Sequence, residues 1–172
     1  MKRHTLSCIR ILIPVVFALL VPSAAAFAQM DATLEVFGGY FDGGFSTQSG
    51  FSHTTTFGVR SSYNFTRVWA VEAAISRSSD FFVAYNGDLS AKAYLFQRTG
   101  FGLFALAGIG VQRNYLGGLY GDEKTIHAGI GADVALSDRT YLRPEIRYRW
   151  PTDHVNEDFR TTDFTLGVGW RF

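Results

Sequence analysis

Twelve charged residues stand at one parity of a repeating apolar–polar alternation: Glu35, Arg60, Glu72, Asp88, Lys92, Asp133, Arg143, Glu145, Arg147, Arg149, Asp163 and Arg171. They divide into six acids and six bases, and four of them, Arg143, Glu145, Arg147 and Arg149, alternate along a single stretch. Equal numbers of opposite charges suit ion pairing in an enclosed, poorly hydrated space, where an unmatched charge is costly. Hydrolytic chemistry would need a histidine beside a serine or a carboxylate. His154 has Asp153, Glu157 and Asp158 around it, and Ser78 and Ser79 belong to another connection at the same end, but no His-x-Ser pair occurs. The histidines are scattered, with no metal-ligand spacing. Gly108-Ile-Gly110 and Gly129-Ile-Gly131 lie inside strand-like segments with no helix after them, so they are not phosphate loops. No catalytic residue, metal site or cofactor is expected.

The elements that position these charges begin after a targeting segment. Lys2, Arg3, His4 and Arg10 precede the apolar run Ile11–Leu20, and Ala26-Phe27-Ala28 is a cleavage signal. The run is shorter than the roughly 20 residues of a spanning helix, so residues 1–28 read as a secretory signal peptide. Removing 28 of the 172 residues leaves 144, a length for one domain, 29–172. Three of the sixteen bases leave with the signal, so thirteen bases face fifteen acids, a balance of −2 that gives no hint of nucleic acid. The only cysteine, Cys8, leaves too, so no disulfide can brace the exported chain.

The remainder alternates in eight segments: Ala32–Phe41, His53–Tyr63, Val68–Arg77, Asn86–Phe96, Phe101–Gln112, Glu123–Ala135, Thr140–Trp150 and Thr162–Phe172. Short turns at 64–67, 97–100 and 136–139 interleave with longer connections at 42–52, 78–85, 113–122 and 151–161. This pattern predicts an all-β, eight-stranded antiparallel up-and-down barrel with every long loop at one end.

Successive strand residues face opposite sides, so each segment has one apolar and one charged face. Alternation alone does not say which is inside. A soluble, lipocalin-like calyx would hide the apolar face, whereas a transmembrane barrel turns it to lipid. Charge balance favours the second. Gly58, Gly102, Gly108, Gly110, Gly129, Gly131, Gly167 and Gly169 share the charged parity and leave room for long side chains inside a narrow barrel. Aromatics gather at the segment ends, with Trp69, Tyr141, Trp170 and Phe172 near one rim and Trp150 near the other, as in membrane girdles. Arg77 and Lys124 have the apolar parity but fall where a long side chain reaches a polar boundary.

The closing stretch TTDFTLGVGWRF, with its final Phe172, together with the eight segments, resembles the OmpA-like and OmpX-like small outer-membrane β-barrels of bacteria. The resemblance implies a transmembrane barrel in the bacterial outer membrane, reached by export. It also implies recognition of the last strand and Phe172 by the barrel-assembly machinery, and contact with outer-membrane lipid and lipopolysaccharide. The sequence departs from full-length OmpA-like proteins in ending with the barrel, so no periplasmic peptidoglycan-binding domain is expected. The expected role is a non-enzymatic integral protein with a side-chain-filled lumen and four surface loops for envelope integrity, adhesion or ligand contact. A small pore, a lipid A-modifying barrel enzyme and the soluble calyx remain as alternatives.

Overall fold

The structure, a computed structural model, describes residues 31–43, 53–79, 83–116, 119–152 and 160–172. The proposed signal segment therefore lies outside the described residues. Eight strands follow in order: β1 (Ala32–Gly43), β2 (His53–Asn64), β3 (Trp69–Ser79), β4 (Val83–Arg98), β5 (Phe101–Leu116), β6 (Leu119–Ala135), β7 (Thr140–Pro151) and β8 (Thr161–Arg171). Each pairs antiparallel with the next, and β8 returns to β1 to close the barrel. Closure removes the free edges that an open sheet would leave. Among the described residues, no helix is long and apolar enough to cross a membrane, which says nothing about strands.

The short turns at one end are built by side-chain and backbone bonds. The backbone N–H of Trp69 donates to Thr66 Oγ1 at 2.9 Å, and that of Thr140 to Ser137 Oγ at 3.1 Å. Between β4 and β5, Gly100 takes φ +81°, a left-handed conformation that glycine adopts without penalty.

Three features depart from simple alternation. Strands β5 and β6 run on to Leu116 and Leu119, so most of the expected loop 113–122 is a paired ribbon. Likewise β3 reaches Ser79 and β4 starts at Val83, which leaves only 80–82 of the expected loop 78–85. Pairing persists there because cross-strand contacts continue past the apolar stretch. Arg113 Nε and Nη2 donate to the two Asp122 carboxylate oxygens, each at 2.5 Å. The rest of loops 42–52 and 151–161 lies largely outside the described residues. In β4, the register against β5 shifts between Tyr94 and Phe96, a bulge that turns both Leu95 and Phe96 outward. Finally, Pro144 has no N–H to give to a ladder. The β6–β7 pairing skips it: Gly131 faces Glu145 and Val134 faces Leu142, with no pairing recorded between them.

The faces are inverted relative to a water-soluble protein. Leu34, Val36, Phe57, Ile75, Leu89, Ile109, Ile126, Ile130, Ile146, Phe164 and Leu166 are all exposed on the outer surface. The charged residues of the other parity, Arg171 excepted, are buried inside. This arrangement overturns the calyx alternative, which requires the apolar side chains within.

Candidate functional site

Among the described residues, chemistry-bearing side chains converge in the lumen, which can be followed upward from the short-turn end. Lys92 on β4 is fully buried, with Nζ 4.0 Å from Asp133 Oδ2 and above the rings of Tyr94 and Phe104 at 4.9 and 5.1 Å. Tyr94 donates its hydroxyl to Asp133 at 2.6 Å. Next, Arg143 on β7 reaches three carboxylates: Asp133 at 2.6 Å, Glu72 at 2.7 Å and Glu35 at 3.2 Å. Arg60 on β2 bonds Glu145 and donates to Thr165 Oγ1 at 3.1 Å. Its Nε lies 3.1 Å from Glu35 Oε1, an ion contact whose angle falls short of a hydrogen bond.

Higher still, Arg147 holds Glu145 at 2.8 Å, Glu72 at 3.0 Å and Asp88 at 3.0 Å. Arg149 closes the column on Asp88 at 2.5 Å and Asp163 at 2.7 Å. Three inward positions of β7, Arg143, Arg147 and Arg149, thus supply a ladder of guanidiniums, with Glu145 between the first two, and their planar forks each grip more than one carboxylate. The carboxylates come from β1, β3, β4, β6, β7 and β8, so the network ties the wall together across the interior.

Glycines make the space. A Cβ at Gly167 would overlap the Glu35 carboxylate, and one at Gly169 would overlap the Tyr141 ring. Long side chains therefore lie flat against bare backbone, and a narrow eight-strand interior is filled.

Two expected site residues sit elsewhere. Tyr141, expected in the girdle at the short-turn rim, is 1 % exposed and points inward. Its hydroxyl donates to Glu35 at 3.3 Å, and Arg143 and Arg171 flank its ring, each at 5.2 Å. It shares parity with Arg143, Glu145 and Arg147, and that signal in the sequence marks it as internal. Arg171 has the inward parity but is exposed at the mouth of the barrel, where it stacks on Tyr141. The enclosed network therefore sets six carboxylates against five cations, not against six. The other aromatics face outward: Trp69, Trp170 and Phe172 are exposed, and Trp150 is half-buried against Tyr148, ring centroids 4.5 Å apart.

Sequence reasoning missed one meeting. Ser90 on β4 and His127 on β6 stand opposite Gly108 of β5 in adjoining registers. Across that bare glycine, Ser90 Oγ and His127 Nε2 are 2.8 Å apart, and His127 Nδ1 is 3.7 Å from Asp88 Oδ1. The residue types match a hydrolase triad but the geometry does not. Nδ1 has no hydrogen-bond partner, Asp88 is held by Arg147 and Arg149, and the serine is 2 % exposed. A nucleophile sealed behind charged side chains meets no acyl substrate. His154 lies outside the described residues. Among those described, no cluster of His, Cys, Asp and Glu could hold a metal.

A closed antiparallel barrel with apolar residues outside and charges inside is a transmembrane β-barrel. The family described as "Outer membrane protein beta-barrel domain" matches residues 14–172, and the chain belongs to that family. It is accordingly a protein of the bacterial outer membrane. Solved structures share the fold. Neisserial surface protein A is 14 % identical with a TM-score of 0.69, covering 82 % of this chain and 97 % of its own. The N-terminal β-barrel domain of Pseudomonas aeruginosa OprF is 15 % identical with a TM-score of 0.63, covering 84 % and 100 %. The attachment invasion locus protein Ail of Yersinia pestis is 13 % identical with a TM-score of 0.55, covering 83 % and 97 %. No curated protein sequence matches the chain.

Proposed function

We propose that this chain is a non-enzymatic, plugged barrel that serves the outer membrane as a structural and surface-contact protein. The observation that carries the reading is the lumen itself. Arg60, Arg143, Arg147 and Arg149 each bridge at least two carboxylates across the interior, which leaves side chains where a pore would need water. The network takes the place of an apolar core and fixes the register of the strands. Outward Trp69, Trp170 and Phe172 at one rim and Trp150 toward the other anchor the barrel at the two membrane interfaces. Phe172, whose N–H bonds the carbonyl of Ala32 at 3.0 Å, completes the seam and serves with β8 as the signal for the assembly machinery. Residues 1–28 direct export and are removed.

Contacts with lipopolysaccharide or a surface ligand fall to the end carrying the connections 42–52, 78–85, 113–122 and 151–161. One structural relative, Ail of Yersinia pestis, has been solved in complex with the heparin analogue sucrose octasulfate, which supports reading this barrel as one that contacts a surface ligand. The test is conductance in a planar lipid bilayer together with lipid A mass spectra from cells with and without the protein. A plugged, non-catalytic barrel gives no stable single-channel steps and an unchanged lipid A profile. Steady channels would establish a pore instead, and a new lipid A species would establish an enzyme.

A further inference from the structure

Arg77 and Lys124 are the only cations with the outward parity inside the alternating segments read from the sequence, and the lumen network does not use them. The structure places Arg77 at the rim of a groove in the outer wall, three strands from Lys124. In register across the wall, Phe57, Arg77, Tyr85, Arg113 and Asp122 form one outward rung of β2 to β6. The rung beneath it, toward the short turns, is Val59, Ile75, Gly87, Val111 and Lys124. Gly87 is the gap. It is exposed on the outer face, and a Cβ built there would meet nothing within 4 Å.

Around this gap lies a shallow, mainly apolar groove of about 1250 Å³, walled by Val36, Phe57, Ile75, Val83 and Val111. Its rim toward the loop end is basic. The Arg77 guanidinium lies 5.8 Å from the centroid of the Tyr85 ring, and no described carboxylate pairs with it. Arg113 also lines the groove, turned toward Asp122. Counted along β3, Arg77 is eight residues beyond Trp69. At the usual strand rise and tilt this is about 20 Å along the membrane normal, near the top of an apolar band about 25 Å tall. The long arginine side chain can carry its guanidinium from there toward the outer interface.

We propose that this groove binds one lipid A molecule of the outer leaflet, with acyl chains laid over Gly87 and a phosphate held at Arg77. The chemistry selects this occupant. Saturated acyl chains fit an apolar floor that the barrel leaves bare, and a phosphate matches a guanidinium at the depth where lipid headgroups begin. The inference rests on the reading of the outer face as lipid-facing, and it adds a defined site to that reading.

The test uses protein purified from the outer membrane of a Gram-negative host in mild detergent, with retained lipid A counted by native mass spectrometry. Gly87→Trp fills the gap, Arg77→Gln removes the cation, and Ile146→Trp, at an outward position of β7, is a control across the barrel. Wild type and Ile146→Trp should retain one lipid A that added phosphatidylglycerol does not displace. Gly87→Trp should lower occupancy at least about tenfold, a change of 1.4 kcal/mol, and Arg77→Gln should lower it several-fold. Unchanged retention in both groove variants, equal loss in the Ile146→Trp control, or displacement by phosphatidylglycerol would overturn the site. If Gly87→Trp does not fold, Arg77→Gln decides alone. A wild-type protein whose gel mobility is unaffected by boiling would count against the barrel reading, not against the groove.

Discussion

Removing Arg143 should damage this barrel more than removing any single carboxylate it bonds. The guanidinium is fully buried and contacts Asp133, Glu72 and Glu35 at 2.6, 2.7 and 3.2 Å. Breaking one buried pair by deleting a partner costs about 3–5 kcal/mol, because the other charge is left buried without compensation. Arg143→Met leaves six enclosed carboxylates facing four cations, so the cost falls at or above the top of that range. Glu145→Ala removes the contacts to Arg60 and Arg147. Both arginines keep other carboxylates, and the enclosed excess of one negative charge disappears, so the loss should be nearer to about 1.5–3 kcal/mol, the worth of a charged hydrogen bond. Glu157→Ala, in the connection between β7 and β8, should stay within about 0.5 kcal/mol. The assay is urea unfolding in detergent micelles followed by tryptophan fluorescence. With about 2 kcal/mol per molar urea, the midpoint should fall by about 2 M or more for Arg143→Met, by about 1 M for Glu145→Ala and not measurably for Glu157→Ala. Arg143→Lys keeps the charge but loses the fork, and belongs between the first two. Equal midpoints for Glu145→Ala and Glu157→Ala, or a larger loss at Glu145 than at Arg143, would refute the argument from enclosed charge.

Gly169→Ala should destabilise the barrel by about 1–3 kcal/mol through overpacking, because the new Cβ would overlap the Tyr141 ring. The double variant with Tyr141→Ala should recover part of that loss, and an additive result would remove the steric explanation. Brominated lipids should quench single-tryptophan proteins retaining Trp69, Trp170 or Trp150, with Trp69 and Trp170 quenched at a different depth from Trp150. A tryptophan introduced at Tyr141 should be shielded. Ser90→Ala should leave the host's lipid A profile unchanged and fold normally, since its bond to His127 is local; any loss of a lipid A species would revive the triad.

The parts of this fold that could be read in advance are those set by local alternation. Side chains on a strand change face every residue, so the eight strands and the shared face of Glu35, Arg60, Glu72, Asp88, Lys92, Asp133, Arg143, Glu145, Arg147, Arg149 and Asp163 follow from position, and their charge balance turns that face inward. Tyr141 carried the same signal. It was assigned to the rim because an aromatic at a strand end suggests an interface, yet parity places it inside. Arg171 shows the opposite limit, since parity does not say how far along the axis the enclosed space extends. The length of the β5–β6 ribbon was hidden because polar residues such as Arg113 and Asp122 pair across strands as readily as apolar ones. Pairs between strands needed the register. Ser90 and His127 meet only because each stands opposite Gly108, and the Leu95 bulge changes that bookkeeping locally.

Seven of the eight strand pairings join neighbours along the chain, and only the eighth joins the two ends, as in Thr33 opposite Arg171. The local hairpins form at little entropic cost, whereas the last pairing must gather nearly the whole domain before it yields one hydrogen bond. Until then, β1 and β8 are open edges, and the outward apolar rows beside them invite self-association in water. The ring is therefore a kinetic object as much as a shape. Its slow step is a single late zippering event, and the partly built sheet needs shelter from other copies for as long as that event takes.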